Sequence, residues 1–421
     1  MKKLFCIVVA SFAVSLTACA ATQKDDQAAS TVAGTSIAPL TDLYDSVWIK
    51  GDDGTVKTLD QVADDLSRYD VVFFGEFHGH SGIHLAQMRI FSALQQRNGN
   101  MTLSLEQFER DTQPLVDQYL KGEIGEKVLQ ELGRGWANYE QSYRPLVEFA
   151  KDNSLPVVAS NAPKQAVICV SKKGPEIIDK IPMPDRLWVA KELHIEEGAY
   201  QDKYRSFIEG SSTHGPSSKN SEDSGEPEVC VDLAIDVKNQ EGTVEAGKKD
   251  HKLATDKKDH MATAMSGEEE LTVEEQKKAD EQMAKMMETM IMKSFSSQVT
   301  RDDTMAESIA IHLKDNPDRK VLHLDGNFHS ASHLGTVERL KLRMPELKIA
   351  VINPIAVADN NEPAWTDEDS ATGDYILLVK QVPEMFVCEA RELEFQRKTI
   401  MKRMGNKCIY SEETAQHEEK S

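Results

Sequence analysis

Short apolar runs recur along the chain at residues 71–75, 101–106, 156–160, 320–325 and 348–353, each closed by a glycine or a polar residue. Runs of this length, bounded by breakers, predict strands buried on both faces. Between them the apolar positions change to helical spacing. Ile83, Ile90, Phe91 and Leu94 follow the first run, with Gln87 on the same face, and Leu115, Tyr119 and Leu120 follow the second. Strands alternating with helices predict an α/β fold with a mostly parallel central sheet and helices on both faces. A late run, Tyr375 to Val382, predicts a further strand that makes the edge antiparallel.

The pattern breaks between residues 211 and 282, where Ser, Gly, Lys, Asp and Glu dominate. Ordering a residue costs about 1–2 kcal/mol, and so few apolar side chains cannot offset it, which predicts a flexible acidic insertion. His251 and His260 sit there among lysines, which disfavour a cation. Met283, Met286, Met287, Met290 and Met292 then crowd a helix that runs toward Ala310. It reads as a core or cap helix with pliable packing, or as a helical lid over a flat apolar ligand. Residues 356–421 follow the main domain (41–355), and from 383 onward they predict a strand end, a charged helix and a polar tail.

The first residues give the expected compartment. Met1-Lys2-Lys3 is a charged start, Leu4 to Val14 is apolar, and Leu16-Thr17-Ala18-Cys19 ends the stretch. Such a leader is a secretory signal, too short to span a bilayer. Its end resembles the bacterial lipoprotein box, which implies a signal over 1–18, lipidation of Cys19 and a tether over 19–40. Ala20 after that cysteine implies an outer-membrane anchor facing the periplasm. Cys6 leaves with the signal, and Cys169, Cys230, Cys388 and Cys408 remain, an even set suited to disulfides. Sequence proximity favours Cys169–Cys230 and Cys388–Cys408. The formal net charge of −21 repels phosphate backbones and argues against nucleic acid as a partner.

Chemistry collects where the runs end. VVFFGEFHGHSGIH, residues 71–84, places Glu76, His78, His80 and His84 after a strand, and VLHLDGNFHSASH, residues 321–333, repeats the Gly-x-x-His form as Gly326 to His329. Open α/β sheets hold their ligands at the carboxyl ends of strands, and glycine there lets another group approach the backbone. Two parallel strands can therefore bring His78 and His329 to one rim, with Glu106 from the second run and Asn161 from the third. A carboxylate among imidazoles is costly to bury unless it is paired or metal-bound.

An ordered series of segments extends these motifs: GEFHGHSGIH, LEQFERDTQPLVDQYL, GW…YEQSYRPLVEFAKDNSLPVVASN, AYQDKYRSFIEGSSTHG, QVTRDDTMAESIA and DGNFH. On them the chain resembles the ChaN-like group within the haem-binding uptake/Tiki superfamily, from about Tyr69 to Gly215 and again from Gln298 to Pro354. The resemblance implies an iron-regulated lipoprotein that binds haem for uptake, forms a homodimer and works with haem-uptake machinery. Haem iron accepts His or tyrosinate as an axial ligand. Among Tyr139, Tyr143, Tyr200 and Tyr204, which lie in the matched segments, Tyr143 and Tyr204 are the axial candidates. His78, His80, His84, His214 and His329 are candidates for propionate or iron contacts. Two other functions stay open. His78 and His329 with Glu76 or Glu106 could bind a divalent metal ion and hydrolyse a peptide or ester. A non-catalytic scaffold lipoprotein is the third.

Overall fold

The computed structural model describes residues 37–213 and 273–410. The leader, Cys19, the tether up to residue 36, His214, Cys230, His251 and His260 lie outside the described residues, as does most of the acidic insertion. In chain order the strands and helices are β1 (Ser46–Lys50), β2 (Val56–Lys57), α1 (Leu59–Leu66), β3 (Val71–Glu76), α2 (Ser81–Asn98), β4 (Met101–Glu109), α3 (Gln113–Leu120) and α4 (Glu126–Leu132). Then come α5 (Tyr139–Ser142), α6 (Arg144–Asp152), β5 (Val157–Asn161), α7 (Lys164–Lys173), α8 (Ala199–Thr213) and α9 (Val273–Asp315). The remainder is β6 (Lys320–Gly326), α10 (Thr336–Arg343), β7 (Ile349–Ala356), α11 (Asp367–Ser370), β8 (Tyr375–Val379) and α12 (Glu389–Gly405).

The strands form one sheet in the order β2-β1-β8-β7-β3-β6-β4-β5. All neighbours from β8 to β5 run parallel, and β1 pairs antiparallel with both β8 and β2. The antiparallel edge is therefore β1 and β2, whereas β8 lies inside the sheet and runs parallel to β7. SVWIK is too short to stand out as a strand, yet once β1 covers the exposed side of β8, the apolar run Tyr375 to Val379 is buried throughout.

Side-chain alternation explains why the central strands are apolar throughout. Val72 and Phe74 enter a core shared with α1, α2 and α6, while Val71 and Phe73 enter a second core beneath α9 and α10. Each such side chain contributes about 1.5–3 kcal/mol by leaving water. The strand β6 obeys the same alternation, so His323 and Asp325 take the α9 side with Val321 and are fully buried.

Two expectations change. The insertion is shorter than 211–282 at both ends: α8 runs to Thr213 and α9 begins at Val273, so the latter spans 43 residues. One disulfide is Cys169–Cys408, joining α7 to the segment after α12 across 239 residues, with Cα atoms 4.5 Å apart. Cys388 is also disulfide-bonded. Sequence proximity misled because Cys408 packs with Ala166, Val170, Ile178 and Tyr410 in a small cluster of its own. Among the described residues no helix is long and apolar enough to cross a membrane.

Candidate functional site

The two Gly-x-x-His turns interlock. Strands β3 and β6 are adjacent, with Gly75 beside Asp325 and Glu76 beside Gly326. A Cβ on Gly75 would lie 2.9 Å from Cα of Asn327, and one on Gly326 would lie 3.0 Å from the His78 imidazole. Each glycine thus makes room for the other motif's turn, and both histidines stand at the carboxyl rim.

Glu76 is the anchor of the first half. Its Oε1 accepts hydrogen bonds from His78 Nδ1 at 2.8 Å, Gln107 Nε2 at 3.1 Å and the Tyr143 hydroxyl. Its Oε2 accepts from Gln87 Nε2 at 2.9 Å and faces His84 Nδ1 at 3.8 Å. Burial works against the carboxylate, but the His78 hydrogen bond, the His84 charge and the Tyr143 and Gln87 bonds outweigh it and hold the pKa below the ordinary value. The same pairing lifts His78 above its ordinary value against the pull of burial. His78 remains 47 % exposed, resting edge-on against Trp136. With Nδ1 tied to Glu76, its Nε2 has no protein partner among the described residues. His84 is buried and spent on structure: one ring nitrogen meets Gln87 and the other the His78 carbonyl. His80 caps α2 by accepting from Ile83 N–H and bonds the Lys380 carbonyl through its other nitrogen.

The second half is ionic. His329 Nδ1 donates to Asp302 Oδ1 at 2.6 Å, and its Nε2 faces Glu106 Oε1 at 3.6 Å. Asp302 also accepts from the Tyr200 hydroxyl at 2.7 Å and from Thr336 Oγ1 at 2.9 Å. Glu106 accepts from the Gly326 N–H at 2.8 Å, so the glycine of one motif positions the carboxylate that faces its own histidine. Burial alone would discharge His329, but the Asp302 and Glu106 charges prevail and push its pKa up to about 9. Behind this pair, burial holds Asp325 well above the usual carboxylate range and drives His323 down to about 3.

The rim therefore gathers Glu76, His78, His84 and Tyr143 on one side of Gly326 and Glu106 and His329 on the other. Tyr204 stands apart, packed with Phe295 and Phe328 and bonded to Ser294. Asn161 turns back to its neighbour, accepting from Ala162 N–H at 2.8 Å, and does not join the histidines. Tyr143 is wholly buried, and desolvation with the Glu76 charge pushes its phenol well above the ordinary range. Burial raises Tyr204 too. Sequence reasoning gave no role to Asp302 or Gln87, although two adjacent aspartates amid helical apolar spacing in QVTRDDTMAESIA were a usable signal. A separate cavity of about 670 Å³, bounded by Lys50, Arg68, Lys348 and Asp374 among others, lies near the amino ends of β3 and β7 and touches none of these residues.

The family model for haem-binding uptake proteins of the Tiki superfamily, ChaN, matches residues 62–340. The chain belongs to the ChaN family. The match takes in β3, both Gly-x-x-His motifs and Asp302. No curated protein sequence matches the chain. Among solved structures it is similar to one described as cofacial heme binding to ChaN of Campylobacter jejuni, at 14% identity and a TM-score of 0.48, covering 82% of this chain and 100% of that one. It is also similar to a mutant of the erythromycin esterase EreC in its open conformation, at 11% identity and a TM-score of 0.37, covering 81% and 99%. A succinoglycan biosynthesis protein aligns at 11% identity and a TM-score of 0.32, over 76% and 72%.

The divalent-metal alternative finds no support in the geometry. Among the described residues no group of three or more His, Cys, Asp or Glu side chains could hold a metal ion. His329 explains why: its ring nitrogens face Asp302 and Glu106, an arrangement that favours the imidazolium over a metal-ligating neutral ring.

Proposed function

We propose that this ChaN-family protein binds haem at the rim around His78 and serves haem uptake as a lipid-anchored outer-membrane protein facing the periplasm. The observation that carries the reading is His78: a half-exposed imidazole whose Nδ1 is fixed by a carboxylate and whose Nε2, beside Gly326, has no protein partner among the described residues. A carboxylate hydrogen-bonded to one ring nitrogen in this way fixes the tautomer and strengthens the other nitrogen as a donor to iron. His78 therefore replaces Tyr143 and Tyr204 as the axial candidate, since both hydroxyls are engaged and both phenols resist ionisation. Lys203, whose Nζ bonds the Phe328 and Ala331 carbonyls, stands beside the second motif as a cation for a propionate. Phe207, 57 % exposed and packed at a 50° tilt against Phe328, offers apolar surface for a porphyrin face. Haem, when bound, supplies a Lewis-acidic iron that His78 would ligate. A homodimer and a partner in the uptake machinery belong to the same proposal.

Adding haemin to the purified protein is expected to give a saturable Soret shift, and His78→Ala is expected to weaken affinity roughly tenfold or more and alter the spectrum. An unchanged titration in that variant overturns His78 as the ligand, and no Soret change in the unmodified protein overturns haem binding. Anchoring is tested apart from this. Cys19→Ser is expected to move the protein from the membrane to the soluble fraction, because a single residue carries the lipid. Continued membrane fractionation overturns the lipoprotein reading.

One observation favours a second reading, hydrolysis without a metal. His78 is oriented by Glu76 and exposed, which is the geometry of a general base. Turnover of a simple ester that disappears in both Glu76→Gln and His78→Ala would favour it over haem binding.

A further inference from the structure

Methionine is by habit a buried residue. On α9, however, Met283, Met286, Met287 and Met290 are 54, 53, 56 and 63 % exposed. Their spacing, i, i+3, i+4 and i+7, places all four on one face across two turns. Met292 is the contrast, because it packs beside Tyr204 and Phe295 and its Sδ accepts from Gln201. Among the described residues the core reading of these methionines thus holds for Met292 alone, and the other four join none of the hydrophobic clusters there.

Composition separates thioether chemistry from plain apolarity. From Glu274 to Met290 methionine is the only large apolar residue type, with Lys277, Lys278, Asp280, Glu281, Lys285 and Glu288 around it. A face made for packing would be met as well by Leu or Ile, which are absent there. Thioether sulfur is a soft, neutral donor that selects copper(I) over zinc or iron. Helical neighbours at these offsets have Cβ atoms roughly 5–6 Å apart, and the three rotatable bonds of methionine allow two or three sulfurs to converge on one ion. The net charge of −21 favours a cation over an anion at such a surface.

We propose that Met283, Met286, Met287 and Met290 form a copper(I) site on the exposed face of α9, separate from the histidine rim. The site needs no change in the metal's oxidation state. Its geometry is open to solvent on one side and made wholly of neutral ligands, so exchange with another soft carrier is its natural behaviour.

The test is competition for copper(I) against bicinchoninate, under anaerobic conditions with ascorbate, using the full chain. The unmodified protein is expected to withdraw copper(I) from the chelator. The variant with all four methionines replaced by Leu, which keeps helix propensity and apolar surface, is expected to bind at least roughly tenfold more weakly. A second measurement needs no substitution: silver(I) added to protein carrying ¹³C-labelled methionine methyl groups should shift the resonances of these four residues. Equal competition by both proteins, no competition by either, or silver shifts confined to other methionines would each overturn the proposal. A partner or ligand that docks on the stripe through apolar contact alone would bind the Leu variant as well as the native chain.

Discussion

Asp302→Asn is expected to destabilise the protein by about 3–5 kcal/mol at pH 6, the usual consequence of removing one partner of a buried ion pair. The substitution keeps size and shape, so no cavity contributes. It removes the charge that holds His329 protonated and leaves an imidazolium facing Glu106 alone at 3.6 Å. The pH dependence follows from the direction of the shift. His329 has a folded pKa of about 9 against an ordinary 6.5, so its contribution is complete below pH 6.5 and is lost as pH rises through about 9. Asp302, held below its ordinary value against burial by the His329 charge, contributes above its unfolded pKa and loses that contribution in acid. Urea denaturation should therefore show the native protein weakening between pH 7 and pH 10. The gap between native and Asp302→Asn should narrow over the same interval, because His329 is neutral in both at the upper end. A gap that stays constant with pH would show that the pair is not ionic.

Glu76→Ala is expected to cost about 3–5 kcal/mol, a large part of the 5–15 kcal/mol that a domain of this kind holds in reserve. The carboxylate accepts from Gln87, Gln107, Tyr143 and His78, and the first three donors are buried. Truncation leaves those three without an acceptor, each worth about 1–3 kcal/mol in lost solvation. Glu76→Gln keeps an acceptor oxygen and should cost less than half as much, while still releasing His78 from its fixed orientation. Denaturant midpoints for the two variants, read beside their haemin titrations, separate stability from ligand binding. Equal losses in both variants would mean that charge, and not hydrogen bonding, holds the cluster together.

The legible parts of this chain are those governed by burial of both strand faces. β3, β4, β5, β6 and β7 announce themselves because residues such as Val71 to Phe74 must be apolar in either direction. The rim was legible for the same reason: a polar residue directly after such a run has few places to go except a strand end. What escaped depended on contacts between distant segments. Asp302 lies on a helix that sequence alone could not orient toward His329, and Cys408 meets Cys169 only because the chain returns past α7. Tyr143 was legible as a neighbour of the rim, but its bond to Glu76 was not, since a phenol that ligates iron and one that donates to a buried carboxylate leave the same mark in the sequence.

α9 has a consequence of a different kind. Its 43 residues make a rod about 65 Å long. From Val299 to Leu313 it lies against the sheet and α10, with Met305, Ala306, Ile309 and Ala310 almost wholly shielded from water. Before Met290 its described side chains are exposed, including every position from Lys277 onward. One continuous helix therefore has two lifetimes. Backbone amides near the sheet are expected to open only when the whole domain opens, while those toward Val273 are expected to open more readily, since few tertiary contacts among the described residues resist it. The residue that holds His329 in its charged form sits at the slow end of this gradient, and the methionine face sits at the fast end, where ions and solvent come and go without disturbing the rim.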